Sequence, residues 1–227
     1  MDNSVITLAS YIDHTILKPT CTHIEIEKIC KEASDYGFAA VCVPPPFVGV
    51  AREAGVRTAT VIGFPFGYSV GQAKLAEVEQ AIADGADELD IVINLIALKG
   101  GRWPLLEEEM TVLTERAHAS GKIVKVIIES GVLSDEEIIR CCELYAGVGV
   151  DFLKTSTGYA EKGATIAAVR LMRQHLPAGI KIKASGGIRD ALFARELIAV
   201  GAQRLGSSAG VQIVREDAVN RGVADFY

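Results

Sequence analysis

Eight short apolar, β-branched runs alternate with helical stretches along the whole chain, and few folds accept that rhythm. The runs span 13–18, 38–43, 58–64, 88–94, 123–129, 152–157, 181–185 and 204–208. They are nearly continuous in apolar residues, as parallel strands covered on both faces are. Helix starts mark the intervals. Thr22 with Glu25, Ser69 with Gln72 and Ser134 with Glu137 have the spacing of a capping box. Gly85 and Gly201 follow helical stretches, where a left-handed terminal residue suits glycine. No low-complexity linker divides the 227 residues, so one domain over 1–227 is expected. Strands alternating with helices in this number predict an α/β fold, the (β/α)8 TIM barrel. The alternative is a doubly wound open sheet, and the first strand, the weakest of the series, decides between closed and open.

In a barrel, alternate strand residues point inward. That interior is ordinarily Val, Ile and Leu. Here the pattern turns Asp90, Lys125, Lys154 and Lys183 inward, with Glu88 on the face of Asp90 and Glu129 on that of Lys125. A register slipped by one residue would turn any of them outward, and a lysine also reaches solvent by its stem. Buried charges persist only when paired and hydrogen-bonded, so a cluster of them marks a site rather than a core. Lys154 and Lys183 both end strands that run into small, glycine-bearing loops. Burial disfavours a lysine's charge, and a second ammonium disfavours it further. Like charges about 4 Å apart repel by roughly 4 kcal/mol at an effective dielectric near 20. That carries one lysine from about 10.4 towards neutrality. A free amine attacks carbonyls, so the pair points to Schiff-base chemistry.

Loops after the seventh and eighth strands of such barrels often hold phosphate. Here they are Ser185-Gly186-Gly187-Ile188-Arg189-Asp190 and Gly206-Ser207-Ser208-Ala209-Gly210. Their glycines let backbone N–H groups approach an anion, and the following helix adds its dipole. Ser207 and Ser208 supply hydroxyls, and Thr155-Ser156-Thr157-Gly158 supplies donors from the preceding loop. Asp190 reads as a helix N-cap, and Arg189 is expected to act by its backbone N–H.

A formal net charge of −6 does not draw nucleic acid or anionic lipid to the surface, so a phosphate needs a local positive patch. No apolar run approaches a membrane span, and Met1-Asp2-Asn3-Ser4 lacks the basic and apolar regions of an export signal. A cytoplasmic location is expected. Cys21, Cys30, Cys42, Cys141 and Cys142 form an odd set without Cys-x-x-Cys spacing, which fits a reducing compartment. His14, His23, His118 and His175 are scattered, and nothing in the pattern calls for a metal or another cofactor.

Seven motifs then stand in order: Asp13-His14-Thr15-Ile16-Leu17-Lys18-Pro19, Ala40-Val41-Cys42-Val43, Val61-Ile62-Gly63-Phe64-Pro65, Gly85-Ala86-Asp87-Glu88-Leu89-Asp90-Ile91-Val92-Ile93-Asn94, Lys125-Val126-Ile127-Ile128-Glu129, Phe152-Leu153-Lys154-Thr155-Ser156-Thr157-Gly158 and Lys183-Ala184-Ser185-Gly186-Gly187-Ile188-Arg189. Together they resemble the deoxyribose-phosphate aldolase family over nearly the whole chain. The resemblance implies reversible cleavage of 2-deoxy-D-ribose 5-phosphate to acetaldehyde and D-glyceraldehyde 3-phosphate, without a cofactor. It implies that Lys154 forms the Schiff base, that Lys183 is the neighbouring cation, and that Asp90 belongs to the proton relay. Asp13, Thr15 and Lys125 match positions that line the polar interior. Cys42 matches a site cysteine that the chemistry does not require. Gly158, Gly186, Gly187, Gly206 and Ser208 match phosphate-loop positions. The partners implied are a small phosphosugar and an aldehyde, not nucleic acid or membrane, and a homo-oligomer is left open.

The chain departs from the family at several points. Tyr159 stands where some members carry a lysine near the phosphate, with Lys162 further on. Phe66-Gly67-Tyr68 and Trp103-Pro104 are expected to alter the rim and the aldehydes accepted. A carboxyl-terminal tyrosine in this family can fold over the site, which makes Tyr227 a candidate helper in proton transfer, although termini are also where order is lost. Three rivals fit less. A phosphosugar isomerase does not explain Lys154 beside Lys183. A metal-dependent aldolase needs clustered ligands. A silent phosphosugar-binding barrel has no reason to keep inward charges.

Overall fold

The computed structural model describes residues 7–222, so Met1-Asp2-Asn3-Ser4 and Tyr227 lie outside the described residues. Strand and helix alternate as the apolar pattern predicts. The first half runs β1 (Ile12–Thr15), α1 (His23–Tyr36), β2 (Ala40–Val43), α2 (Val48–Glu53), β3 (Thr58–Ile62), α3 (Gly71–Ala83), β4 (Glu88–Val92) and α4 (Leu95–Lys99). The second runs α5 (Trp103–His118), β5 (Ile123–Ile127), α6 (Asp135–Val148), β6 (Phe152–Lys154), α7 (Ile166–His175), β7 (Lys181–Ser185), α8 (Ala191–Ala199), β8 (Arg204–Ser207) and α9 (Gly210–Asn220). All neighbouring strands pair in parallel. Asp13 lies opposite both Ala40 of β2 and Gly206 of β8, so β1 closes the barrel and the open sheet is excluded.

Several strands stop short of their predicted carboxyl ends, and each stop has a local cause. β3 ends at Ile62 because Gly63 turns to φ 63°. Asn94 leaves β4 to cap α4, its side chain accepting from Ala97 N–H at 3.0 Å. Glu129, beyond β5, takes φ 54°. The residues withdrawn from the strands build the loops above the barrel mouth.

Helix starts follow capping chemistry, with one exception. Thr22 and Ser134 each complete both halves of a capping box, with Glu25 and Glu137. Ser69 caps nothing. Helix α3 begins at Gly71 after Val70, without a side-chain cap. The preceding turn presses Gly67 onto the Ile93 carbonyl, so closely that an added Cβ would lie 1.7 Å from that oxygen, and the helix starts one residue later than a Ser69 cap would place it.

The main core lies between barrel and helices and takes alternate strand residues such as Val41, Val43, Leu89, Ile91, Leu153 and Ile182. Cys141 and Cys142 of α6 are buried in it. Cys42, Ala59 and Val61, with Leu17 and Phe64, form a separate small cluster. Alternation places that cluster inside the barrel on β2 and β3. The interior is therefore apolar on that side and charged from β4 round to β1.

Candidate active site

The inward charges meet in one network. Asp90 Oδ1 accepts from Lys125 Nζ at 2.7 Å. Asp90 Oδ2 accepts from both Lys154 Nζ at 2.8 Å and Lys183 Nζ at 2.7 Å. Lys183 also donates to Asp13 at 2.5 Å, and Arg204 donates to the other oxygen of Asp13 at 2.6 Å. Glu88 takes Lys125 at 2.6 Å and Arg57 at 2.6 Å. Register makes this possible, because Asp90 pairs with Lys125, and Lys154 with Lys183, across adjacent strands.

The sharing is unequal. Among the described residues, Lys125 and Lys183 each lie against two carboxylates or more, whereas Lys154 has Asp90 alone, and Lys183 shares it. Burial drives the Lys154 amine down; Asp90 draws it back, Lys183 pushes it down again, and it settles below the ordinary lysine range. For Lys183 burial acts the same way, but Asp13 and Asp90 outweigh it and raise its pKa. Lys125 is also raised, burial being overcome chiefly by Asp90. Burial opposes the charge of Asp90, yet Lys125, Lys154 and Lys183 hold its carboxyl well below the usual range. Asp13, Glu88 and Asp90 face Lys125, Lys154, Lys183 and Arg204, and Arg57 reaches Glu88 from the surface, so cations outnumber carboxylates in the network. That excess favours loss of a proton, and Lys154, with the fewest carboxylates, is the lysine that gives one up most readily.

Lys154 opens onto a cleft of about 1410 Å³ at the carboxyl ends of the strands. Thr15, Gly158, Gly186, Gly187, Gly206 and Ser208 line it. Gly186 and Gly187 adopt φ 89° and 80°, which other residues resist, and so bend the loop after β7 across the mouth. Gly206 answers a different demand. An added Cβ would sit 2.9 Å from Ser185 Cβ and 3.2 Å from Lys183 Cε, so glycine makes room for the Lys183 stem. Asp190 caps α8, accepting from Phe193 N–H at 2.8 Å. Helix α9 begins at the cleft without a side-chain cap, a start suited to an anion.

Four expectations change. Ser207 does not offer its hydroxyl to the cleft; it is buried, donates to Ile188 O at 2.7 Å and accepts from Ala209 N–H. Ser208 alone of the pair is exposed there. Phe66 and Tyr68 are not among the residues lining the cleft and stack on each other, with centroids 5.5 Å apart. Trp103 lies under the Arg140 guanidinium instead of on the rim. Cys42 is fully buried below the mouth, where burial pushes its thiol up. It lies level with Thr15, packed with Leu17 and Phe64 beside the charged network, and is not among the residues lining the cleft.

Several residues in or beside this network have no role in the sequence reading. Arg204 and Arg57 complete the network but were assigned no part in it. Glu129 lies buried at the mouth, accepts from the Thr157 hydroxyl and backbone N–H, and is raised by burial against the pull of those bonds and of Lys154. Lys74 is fully buried on α3 and donates to Val92 O at 2.9 Å and Glu109 at 2.8 Å, tying α3 and α5 to the end of β4. Its spacing with Val78 and Ala81 on one helical stripe was the available signal.

The fold and this site together define an aldolase of the (β/α)8 class. The chain belongs to the DeoC/LacD family of aldolases, whose model matches residues 7–218. It is 44% identical over 220 residues, covering 95% of both chains, to the deoxyribose-phosphate aldolase of Caldanaerobacter subterraneus subsp. tengcongensis. It matches the solved aldolase QR15 with TM-score 0.91 and 38% identity, over 96% of this chain and 99% of that one. It matches the deoxyribose phosphate aldolase of Aeropyrum pernix, described as tetrameric, with TM-score 0.86 and 32% identity, over 94% and 91% of the two chains. The resemblance read from the motifs is borne out. Among the described residues no helix is long and apolar enough to cross a membrane.

Proposed function

We propose that the protein reversibly cleaves 2-deoxy-D-ribose 5-phosphate to acetaldehyde and D-glyceraldehyde 3-phosphate through a Schiff base on Lys154. The observation that carries this reading is the unequal sharing of Asp90, which leaves Lys154 the amine most ready to lose its proton. Its neutral lone pair adds to the aldehyde carbon of the open-chain sugar, and loss of water gives an iminium. The C3 hydroxyl gives up its proton and the C2–C3 bond breaks. The bond electrons flow into the iminium and leave an acetaldehyde enamine. D-Glyceraldehyde 3-phosphate departs. Protonation of the enamine and addition of water then free the amine. Asp90, bonded to both lysines, is the group placed to relay protons, and Lys183 is the standing cation. Asp13 and Lys125 support that relay from below.

The glycine loops and Ser208 bind the phosphate through backbone donors and one hydroxyl, and Thr15 faces the sugar from the end of β1. Phosphate held far from the reacting bond positions the substrate. The chain acts as one domain over 1–227, in the cytoplasm, on small molecules rather than nucleic acid or membrane, and as a homo-oligomer; the tetrameric relative supports the last point. The test is incubation with acetaldehyde and borohydride, followed by peptide mapping. A reduced two-carbon adduct on Lys154, lost in Lys154→Ala, is the expected result. Folded protein without that adduct would remove the reading.

A further inference from the structure

One side chain joins loops on opposite sides of the barrel mouth. Tyr159 follows Gly158 in the loop after β6, and its phenol donates to the Leu17 carbonyl, after β1, at 2.8 Å. Its ring meets Phe64, after β3, edge to face with centroids 5.3 Å apart. Its backbone N–H donates to Thr157 Oγ1 at 3.0 Å. Thr157 donates its hydroxyl to Glu129, whose carboxylate also accepts the Thr157 N–H at 3.3 Å. Glu129 is a firm anchor. It is 3% exposed and sits at φ 54°, a conformation a non-glycine residue keeps only when its surroundings impose it. The chain of contacts therefore runs from β5 through β6 to β1 and brackets the Thr157-Gly158 turn on both sides. Leu17, Gly158, Tyr159 and Lys154 all line the same cleft.

We propose that Tyr159 is a specificity-determining strap, which holds the Gly158 turn where it receives the substrate's phosphate; this role rests on the deoxyribose 5-phosphate reading above. A lysine at this position would attract phosphate by charge. A neutral tyrosine tied at both ends attracts nothing, but it fixes the backbone donors in place before the anion arrives, so ordering them costs little on binding. Selectivity for the phosphate ester then comes from position, and the unphosphorylated sugar, which does not use those donors, is indifferent to the strap.

Steady-state kinetics of wild type, Tyr159→Phe and Tyr159→Ala, on 2-deoxy-D-ribose 5-phosphate and on 2-deoxy-D-ribose, test this. Tyr159→Phe keeps the ring on Phe64 and removes only the phenol bond. It is expected to lower kcat/KM for the phosphate ester about fivefold, mainly through KM, and to leave the free sugar unaffected. Tyr159→Ala also removes the ring contact and lowers it about thirtyfold. Tyr159 is 47% exposed, so neither change empties a core position. A wild type that cleaves the phosphate ester, with variants that keep its preference between the two sugars, overturns the strap and leaves the aldolase standing. A wild type that cleaves neither sugar overturns both.

Discussion

Lys154 and Lys183 are direct partners on adjacent strands of the barrel wall and differ in one respect that matters, the number of carboxylates each touches among the described residues. Lys183 keeps its proton because Asp13 serves it alone among the two. Lys183→Met removes a cation that pushes the Lys154 amine down and leaves Asp90 more fully available to hold the Lys154 proton. The amine reacts when neutral, so the acid limb of adduct formation is expected to move to higher pH. The rate near neutrality should fall on the order of a hundredfold or more. The pH profile of borohydride-trapped adduct decides this, and an unmoved limb would show that Lys183 does not act on Lys154. Asp90, Lys125, Lys154 and Lys183 were legible in the sequence because strand alternation is a local rule. Their partners were less so. Arg204 opens its strand and looks like an ordinary solvated arginine until β8 meets β1.

At the scale of elements, capping separates what local chemistry dictates from what packing overrides. Ser69 and Ser134 carry the same spacing to a polar residue three positions on, yet only Ser134 accepts a helix N–H, from Glu137. Ser134→Ala is expected to lower stability by about 1 kcal/mol and Ser69→Ala by close to none. Urea unfolding of the two variants beside wild type measures the contrast, and equal losses would mean that the Ser69 turn caps α3 after all. The same override shortened the strands. Gly63, Asn94 and Glu129 follow apolar runs that continue in sequence, but each is drawn out of its strand by a turn, a helix start or a contact to another loop. Periodicity carries no mark of where the barrel wall ends, because the side chains beyond that point remain buried under neighbouring loops.

The whole molecule keeps its charged interior only while its carboxylates are ionised. Asp13 and Asp90 are opposed by burial, but the cations around them outweigh it and hold both below the ordinary aspartate value. A carboxylate lowered by folding contributes stability above its unfolded pKa, near 3.9, and loses it as pH falls through the folded value. The urea midpoint is therefore expected to hold from about pH 8 to 5 and to fall steadily on further acidification. In Asp90→Asn, which lacks the larger of the two contributions, the acid fall should be shallower. Parallel curves would place the acid sensitivity elsewhere. The sequence by itself determined the fold class, the inward set of charges and the end of the barrel where a ligand meets them, because helical and strand periods, glycine loops and caps are all decided within a few residues. Tertiary structure decided the rest. Barrel closure depends on β1 finding β8, and Lys183 meets Asp13 from 170 residues away. Tyr159 reaches Leu17 across 142 residues. Which lysine gives up its proton turns on how many carboxylates reach it across the barrel, and no local pattern of residues encodes that.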